Sequence, residues 1–315
     1  MYHGIINVYK EAGYTSHDVV AKLRGICKQK KIGHTGTLDP DAVGVLPVCL
    51  GCATRLCDML TDKDKEYVAV LRLGITTDTQ DATGKVLAEK EVSVSEEEVR
   101  AVIASFEGEQ LQIPPMYSAL KVNGKKLYEL AREGKEIKRE ARPVHFFAIE
   151  IKEMQLPFVR FSVTCSKGTY IRTLCQDIGE KLGCGACMQS LIRTRVDRFV
   201  LAEAKKLAEI EQYRDEGRLL ELVVPVDAVF EMYPAVYVQP DAAKLLDNGN
   251  PLYPKQTDMS EKLRNKLVDG QKFRVYNAQK MFCGVYNYRE QEKRLKPEKI
   301  FYVPQNKADD QSKPV

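Results

Sequence analysis

The residues with the clearest capacity for chemistry lie in one short run, Gly33-His34-Thr35-Gly36-Thr37-Leu38-Asp39-Pro40. Two glycines permit a tight turn with accessible backbone. Pro40 restricts Asp39 to extended geometry. A carboxylate is thereby held at a loop end, beside an imidazole and hydroxyls, as a nucleophile or acid–base group must be. The plainer alternative is a turn in which Asp39 only caps backbone amides. A second run, Ser166-Lys167-Gly168-Thr169-Tyr170-Ile171-Arg172-Thr173, falls at a strand-to-helix junction. A helix start with basic residues suits an anion. Tyr170 and Arg172, two apart, point in different directions from one first turn. An ordinary connection carrying a surface arginine is the alternative there.

Several other chemistries are removed by what is missing. No GxxxxGK(S/T), GxGxxG or HExxH run occurs, and no serine sits in a GxSxG elbow, so phosphate-loop, dinucleotide, zincin and hydrolase-elbow readings have no support. The nine cysteines include two closely spaced pairs, Cys49/Cys52 and Cys184/Cys187. Together they could build a four-cysteine zinc site. Free cysteines serving as small apolar core residues explain them as well, and reduced thiols are expected in a chain with no visible secretory signal. No apolar run approaches the ~18 residues of a membrane span, so a cytoplasmic location is expected.

These groups need elements to hold them. The 315 residues, 44% hydrophobic and 29% charged, fit a globular chain of one large and one small domain or two equal ones. Ile5 to Tyr9 reads as a short strand, and Ser16 as the cap of a helix with Val19, Val20, Leu23 and Cys27 inward. Tyr67 to Leu73 reads as a mostly buried strand ending at Gly74. Ser95 and Glu98 form a capping box before a helix with Val99, Val102, Ile103 and Phe106 on one face. Phe158 to Cys165 alternates as a half-buried strand, and Tyr170 to Leu182 repeats at helical spacing, stopping at Gly183. Beyond Ala228 the spacing predicts a short helix from Pro240 to Leu246, a hairpin across Ala278-Gln279-Lys280 and a last strand, Ile300 to Val303. Strands and helices without strict alternation imply an α+β main domain.

Charge is distributed unevenly. The net +4 and pI of about 8.4 permit nucleic-acid binding without demanding it. Residues 114–142, however, carry Lys121, Lys125, Lys126, Arg132, Lys135, Lys138, Arg139 and Arg142. They form either a solvated surface loop and helix or an arm that grips phosphates.

Four segments, taken in order, resemble the motifs of the TruB family of pseudouridine synthases. GHTGTLDPDAVGVLPVCLGCATRL (33–56) resembles its catalytic-aspartate motif, and YVAVLRLG with TDTQDATG (67–84) its second motif. PPMYSALKVNGKKLYELAREG (114–134) resembles its RNA-gripping insertion, and CSKGTYIRTLCQDIGEKLGCGA (165–186) its third motif. The C-terminal module resembles a PUA domain, notably at Gly270–Tyr276 and Leu295–Phe301.

The resemblance implies a catalytic domain over 1–230 with a mixed or antiparallel sheet and flanking helices. It implies a PUA-like RNA-binding domain over 231–304 and a polar tail over 305–315. It also implies isomerisation of the T-loop uridine (U55) of tRNA to pseudouridine, without cofactor or metal. By the same resemblance Asp39 is the nucleophile and Arg172 its partner. Tyr67 stacks on the flipped uracil near the proton lost from C5. His34 helps displace the base, Tyr170 and Leu191 line the pocket, and Lys10 belongs to an N-terminal turn at the substrate. Lys121, Lys125 and Lys126 would meet RNA backbone. One departure is visible: Glu11 follows Lys10 where the family usually has proline. The implied partner is tRNA, through its T stem-loop and acceptor stem, with no membrane, no obligate protein partner and a monomeric chain.

The physics fits these roles. Glycosidic isomerisation consumes no electrons or energy. It needs an ionised nucleophile in a pocket closed to water, and a neighbouring guanidinium favours the charged carboxylate. Extruding a base costs a few kcal/mol, and stacking on one aromatic returns ~1–3 kcal/mol. The surplus must come from His34 and from phosphate contacts. Three competitors remain: a non-catalytic RNA-binding or RNA-folding protein on the same fold, a zinc enzyme using the cysteine pairs, and a guide-dependent synthase subunit.

Overall fold

The computed structural model describes residues 1–122 and 124–301. The tail expected from 305, and Tyr302 and Val303 of the expected last strand, lie outside the described residues. The first strands are β1 (Gly4–Lys10), β2 (Ile32–His34), β3 (Val43–Leu50) and β4 (Lys65–Leu73). A small hairpin, β5 (Ile75–Thr77) and β6 (Val86–Glu89), follows, then β7 (Gly108–Gln112). A second hairpin, β8 (Lys121–Val122) and β9 (Lys125–Lys126), sits in the basic segment. The long β10 (Arg142–Gln155), β11 (Phe158–Cys165), β12 (Ala186–Val196) and β13 (Phe199–Val200) complete the main sheet. Its order is β1-β3-β12-β4-β11-β10-β7, with β2 added on β3 and β13 on β12. All pairings are antiparallel except β3 with β12, so the sheet is mixed, as expected.

Burial follows from what covers each part. β1 and β3 are buried on both faces. Ile6, Val8, Leu46 and Val48 pack on helices α1 (Ser16–Cys27) and α6 (Leu207–Asp215), while Ile5, Val45 and Cys49 face the opposite way. β4 and β11 are covered on one face, by α3 (Glu96–Ala104) and α5 (Ile171–Lys181). Tyr67 to Leu73 therefore alternates rather than being mostly buried. Tyr67, Ala69, Leu71 and Leu73 face the core, while Val68, Val70 and Arg72 are partly exposed.

Local signals explain the helix ends. Thr15, not Ser16, caps α1 in a capping box with Asp18. Ser16 is the first helical residue, and its hydroxyl is committed elsewhere, accepting from Leu38 N at 2.9 Å. The Ser95–Glu98 capping box forms as expected. The short helices α2 (Cys57–Thr61) and α4 (Leu127–Arg132) close loops.

A second sheet, β14 (Ala235–Tyr237), β15 (Lys272–Tyr276), β16 (Phe282–Arg289) and β17 (Arg294–Ile300), carries the short helices α7 (Ala243–Asp247) and α8 (Glu261–Arg264). The hairpin turns at Asn277–Met281 as expected. The last strand ends at Ile300 rather than beginning there, because it pairs with β16 from Arg289↔Arg294 to Gly284↔Ile300. Val285 and Phe301 reach back into the apolar cluster containing Leu56 and Phe230, and Tyr276 donates to Asp227 at 2.7 Å.

Two glycines make the packing testable. A β-carbon on Gly179 of α5 would stand 2.2 Å from Ala186 N, whereas one on Gly25 of α1 meets nothing within 4 Å. We predict that Gly179→Ala destabilises the fold by about 1–3 kcal/mol or more, and that Gly25→Ala stabilises it by about 0.5–1 kcal/mol. Urea unfolding midpoints of the two variants against wild type check both signs.

Candidate functional site

The site assembles around Arg172 at the start of α5. Tyr170 occupies the cap position of that helix, its N–H donating to Gln112 Oε1 at 2.7 Å while Gln112 Nε2 donates back to Tyr170 O at 3.0 Å. This reciprocal pair fixes the first turn against the end of β7. Arg172 is thereby aimed into the sheet, its side chain only 5% exposed. Its Nε lies 2.9 Å from Asp39 Oδ2 and its Nη2 donates to Asp39 Oδ1 at 3.3 Å. The remaining donors reach Thr79 O at 2.9 Å and Tyr117 O at 2.8 Å. The guanidinium thus spends four of its five N–H donors here, and the start of the basic segment is anchored at the site.

A second carboxylate, Asp81, stands 3.8 Å from the same Nε. Its Oδ1 accepts from Thr79 Oγ1 at 2.7 Å, Thr83 Oγ1 at 2.6 Å and Thr83 N at 3.0 Å. Asp81 lay within a quoted motif, yet nothing local distinguished it. Its role beside Arg172 depends on the pairing of the 78–82 turn with Met188 of β12.

Asp39 projects from the loop between β2 and β3. Thr35 ties the loop to Pro47 O, and Leu38 N is held by Ser16. Lys10 is fully buried behind it, donating to Ala42 O at 2.6 Å, Pro40 O at 2.8 Å and Glu11 O at 3.2 Å. The ammonium therefore faces the loop's carbonyls, not the open pocket where a substrate contact was expected. Burial lowers its pKa to about 8, against the pull of Asp39 and Asp41. The absent proline after Lys10 leaves this clamp intact. Asp39 itself is 39% exposed, so the pocket expected to be closed to water is open here on the carboxylate's side.

Tyr67 on β4 lies behind Asp39, in one apolar cluster with Leu38 and Leu191. It is nearly buried, and loss of water pushes its phenol up to about 12. His34 ends β2, half-buried, 5.2 Å edge-on from His17. Burial first, then the neighbouring His17 and Arg193, push the His34 imidazole down to about 4. Asp39, Tyr67, Arg172, His34, Tyr170 and Leu191 thus border one region. Lys121, Lys125 and Lys126 lie apart from it on the basic segment. Lys121 and Lys125 are exposed, with Lys125 3.8 Å from Glu133, while Lys126 folds onto Tyr128.

Sequence reading missed Arg193 of β12. It is the largest fully buried side chain among the described residues, beneath the Asp39 loop. Its only sequence signal was a cation inside a strand-like run. The cysteine pairs do not converge: among the described residues no group of three or more His, Cys, Asp or Glu could hold a metal. No helix among them is long and apolar enough to cross a membrane.

Comparison with known proteins finds relatives over most of the chain. Residues 24–171 match the TruB family pseudouridylate synthase N-terminal domain, and residues 172–231 the tRNA pseudouridylate synthase B C-terminal domain. The tRNA pseudouridine synthase B of Lachnoclostridium phytofermentans is 53% identical over 308 residues, 95% of this chain and 99% of that protein. Its counterpart in Clostridium acetobutylicum is 46% identical over 91% of this chain and 96% of that protein. Among solved structures, a Cbf5-Nop10-Gar1 complex contains a chain with a TM-score of 0.70 and 28% identity, covering 96% of this chain and 85% of that one.

His34 supplies a titration test. Its imidazole is neutral in the fold down to about pH 4, whereas the unfolded chain takes up a proton near 6.5. This group therefore weakens the fold as pH falls from 6.5 toward 4, because the unfolded state binds the extra proton. We predict an NMR midpoint for His34 near pH 4, and one near 6.5 would refute the buried placement.

Proposed function

The chain belongs to the TruB family and is a tRNA pseudouridine synthase; from that premise we propose that it converts the T-loop uridine (U55) to pseudouridine with Asp39 as nucleophile. The observation that carries this reading is the bidentate Arg172–Asp39 pair at a loop end held by buried cations. A pure RNA binder has no use for a charged carboxylate so fixed. The uridine leaves its stack, His34 fills the vacated place, and the uracil stacks on Tyr67 between Tyr170 and Leu191. Asp39 attacks C1′ of the ribose or C6 of the uracil. Both routes use the same ionised oxygen and end with uracil rejoined through C5 and the C5 proton removed at Tyr67. Neither consumes a cofactor.

The open side of Asp39 gives RNA a second task. Base and T loop would cover the carboxylate, excluding water only once substrate is bound. Stacking by Tyr67 roughly offsets extrusion, so net affinity rests on phosphate contacts from the 114–142 segment and the second sheet. We read residues 231–304 as a PUA-like unit on the acceptor stem and 1–230 as the catalytic domain. We read the chain as a monomeric, cytoplasmic enzyme, and the basic segment favours a stand-alone enzyme over a guided subunit.

Pseudouridine mapping on an unmodified tRNA transcript tests the activity. Wild type should convert the T-loop uridine. Asp39→Asn should lose on the order of 10⁴-fold or more in rate with an unchanged Kd. Conversion at another uridine, or an active Asp39→Asn, would overturn the site or the nucleophile. Tight binding without conversion by either protein would favour the RNA-folding reading.

The arm is tested separately. Lys125→Ala with Lys126→Ala should raise KM about three- to tenfold and flatten its salt dependence, each lost phosphate contact removing ~0.7–0.9 from the log–log slope. An unchanged KM would mean the arm does not meet RNA.

A further inference from the structure

Arg193 is buried without an acidic partner. Its side chain is 1% exposed, and no carboxylate lies within ion-pairing distance among the described residues. Burying a guanidinium is costly unless its surroundings compensate, and an apolar side chain would fill the same volume without that penalty. Three of its donors go to the segment carrying Asp39: Nε to Val45 O at 2.7 Å, Nη2 to Gly36 O at 3.2 Å and Nη1 to Thr37 O at 3.4 Å. The backbone enforces this reach. A β-carbon on Gly44 would stand 2.3 Å from Arg193 O, and one on Gly36 would stand 3.8 Å from Arg193 Nη1. On its other side Arg193 is the direct cross-strand partner of Tyr67 in the β12–β4 ladder. Cross-strand partners have β-carbons only ~4.5–5.5 Å apart.

We propose that Arg193 is a positioning residue that joins the two halves of the reaction, fixing the Asp39 loop through its carbonyls while holding positive charge against the Tyr67 oxygen. The inference rests on Tyr67 taking the C5 proton. In that step the C5–H bond breaks, its electron pair forms the C5–C6 double bond, and the proton passes to the Tyr67 oxygen; the pair displaced from C6 moves to N1, which takes a proton from solvent, on the C1′ route, or leaves with the Asp39 oxygen as the C6–O bond breaks on the C6 route. The oxygen must already be a phenolate, its own proton having gone to solvent. A fixed cation beside it stabilises that form. The groups acting on Tyr67 are Arg193 from β12, Cys165 from β11 and Asp39 from the loop. Arg193 alone among them favours the anion, while burial, the thiol and the carboxylate oppose it.

The sign of the effect follows. The rate tracks the phenolate fraction and rises with pH, and removing the cation makes the phenol hold its proton more tightly. The rise must then move to higher pH.

The experiment is single-turnover pseudouridine formation on a tRNA transcript from pH 6 to 9, with tRNA Kd measured alongside, for wild type, Arg193→Met, Arg193→Lys and Tyr67→Phe. Arg193→Met should lose at least about tenfold at neutral pH, within the range of acid–base contributions, with Kd within about twofold and the pH rise displaced upward. Arg193→Lys, which keeps a buried cation, should recover part of the rate with a smaller displacement. Should Arg193→Met fail to fold, Arg193→Lys decides: a displaced rise supports the proposal, and a profile parallel to wild type overturns it. Parallel profiles with an inactive Tyr67→Phe overturn the Arg193 role alone. A fully active Tyr67→Phe overturns the reading of Tyr67 and the Arg193 role with it.

Discussion

The loop that presents Asp39 is held by positive charge. Among the described residues Lys10, Lys65, Arg172 and Arg193 are buried, and no aspartate or glutamate is. Lys10 and Arg193 donate to carbonyls between Gly36 and Val45, and Lys10 also to Glu11 O. Arg172 alone reaches the Asp39 carboxylate itself. Buried charge without a partner is expensive, so backbone dipoles must take the place of counter-ions. The outcome is a loop that cannot relax freely, with positive charge gathered beneath it.

That constraint explains the surrounding architecture. β3 carries the loop's far end, and its parallel contact with β12 brings Arg193 under it, since Gly44 offers no side chain to hold the strands apart. β4 lies on the other side of β12 and delivers Tyr67 at the same level. α5 starts where β7 ends, locked by the Gln112–Tyr170 exchange, and points Arg172 at Asp39. Each reactive side chain thus comes from a different element, yet all are referenced to one sheet. Rigid elements hold such a constellation more closely than loops can.

The same geometry links the basic segment to the Asp39 site. Arg172 donates to Tyr117 O as well as to Asp39, so a shift of the 114–142 segment is felt at the guanidinium that pairs the proposed nucleophile. With Asp39 open on one side, the proposed chemistry would be closed to water only when a substrate covers it.

Much of this was legible in the residues themselves. Turn chemistry marked the Asp39 loop, alternation marked β11, and helical spacing with Gly183 marked α5, because these depend on dihedral preferences of near neighbours. The family motifs pointed to Asp39, Tyr67 and Arg172. What tertiary structure decided was partnership. Asp39 and Arg172 meet across 133 residues, and Arg193 reaches Val45 across 148. β12, which holds Leu191 and Arg193, was unmarked because two register shifts break its alternation against β4. Packing alone set the partners of Lys10, the carbonyls behind the loop. Side-chain type fixes what a residue can donate or accept, but which group receives it is set by strand register, and register is a property of the whole sheet.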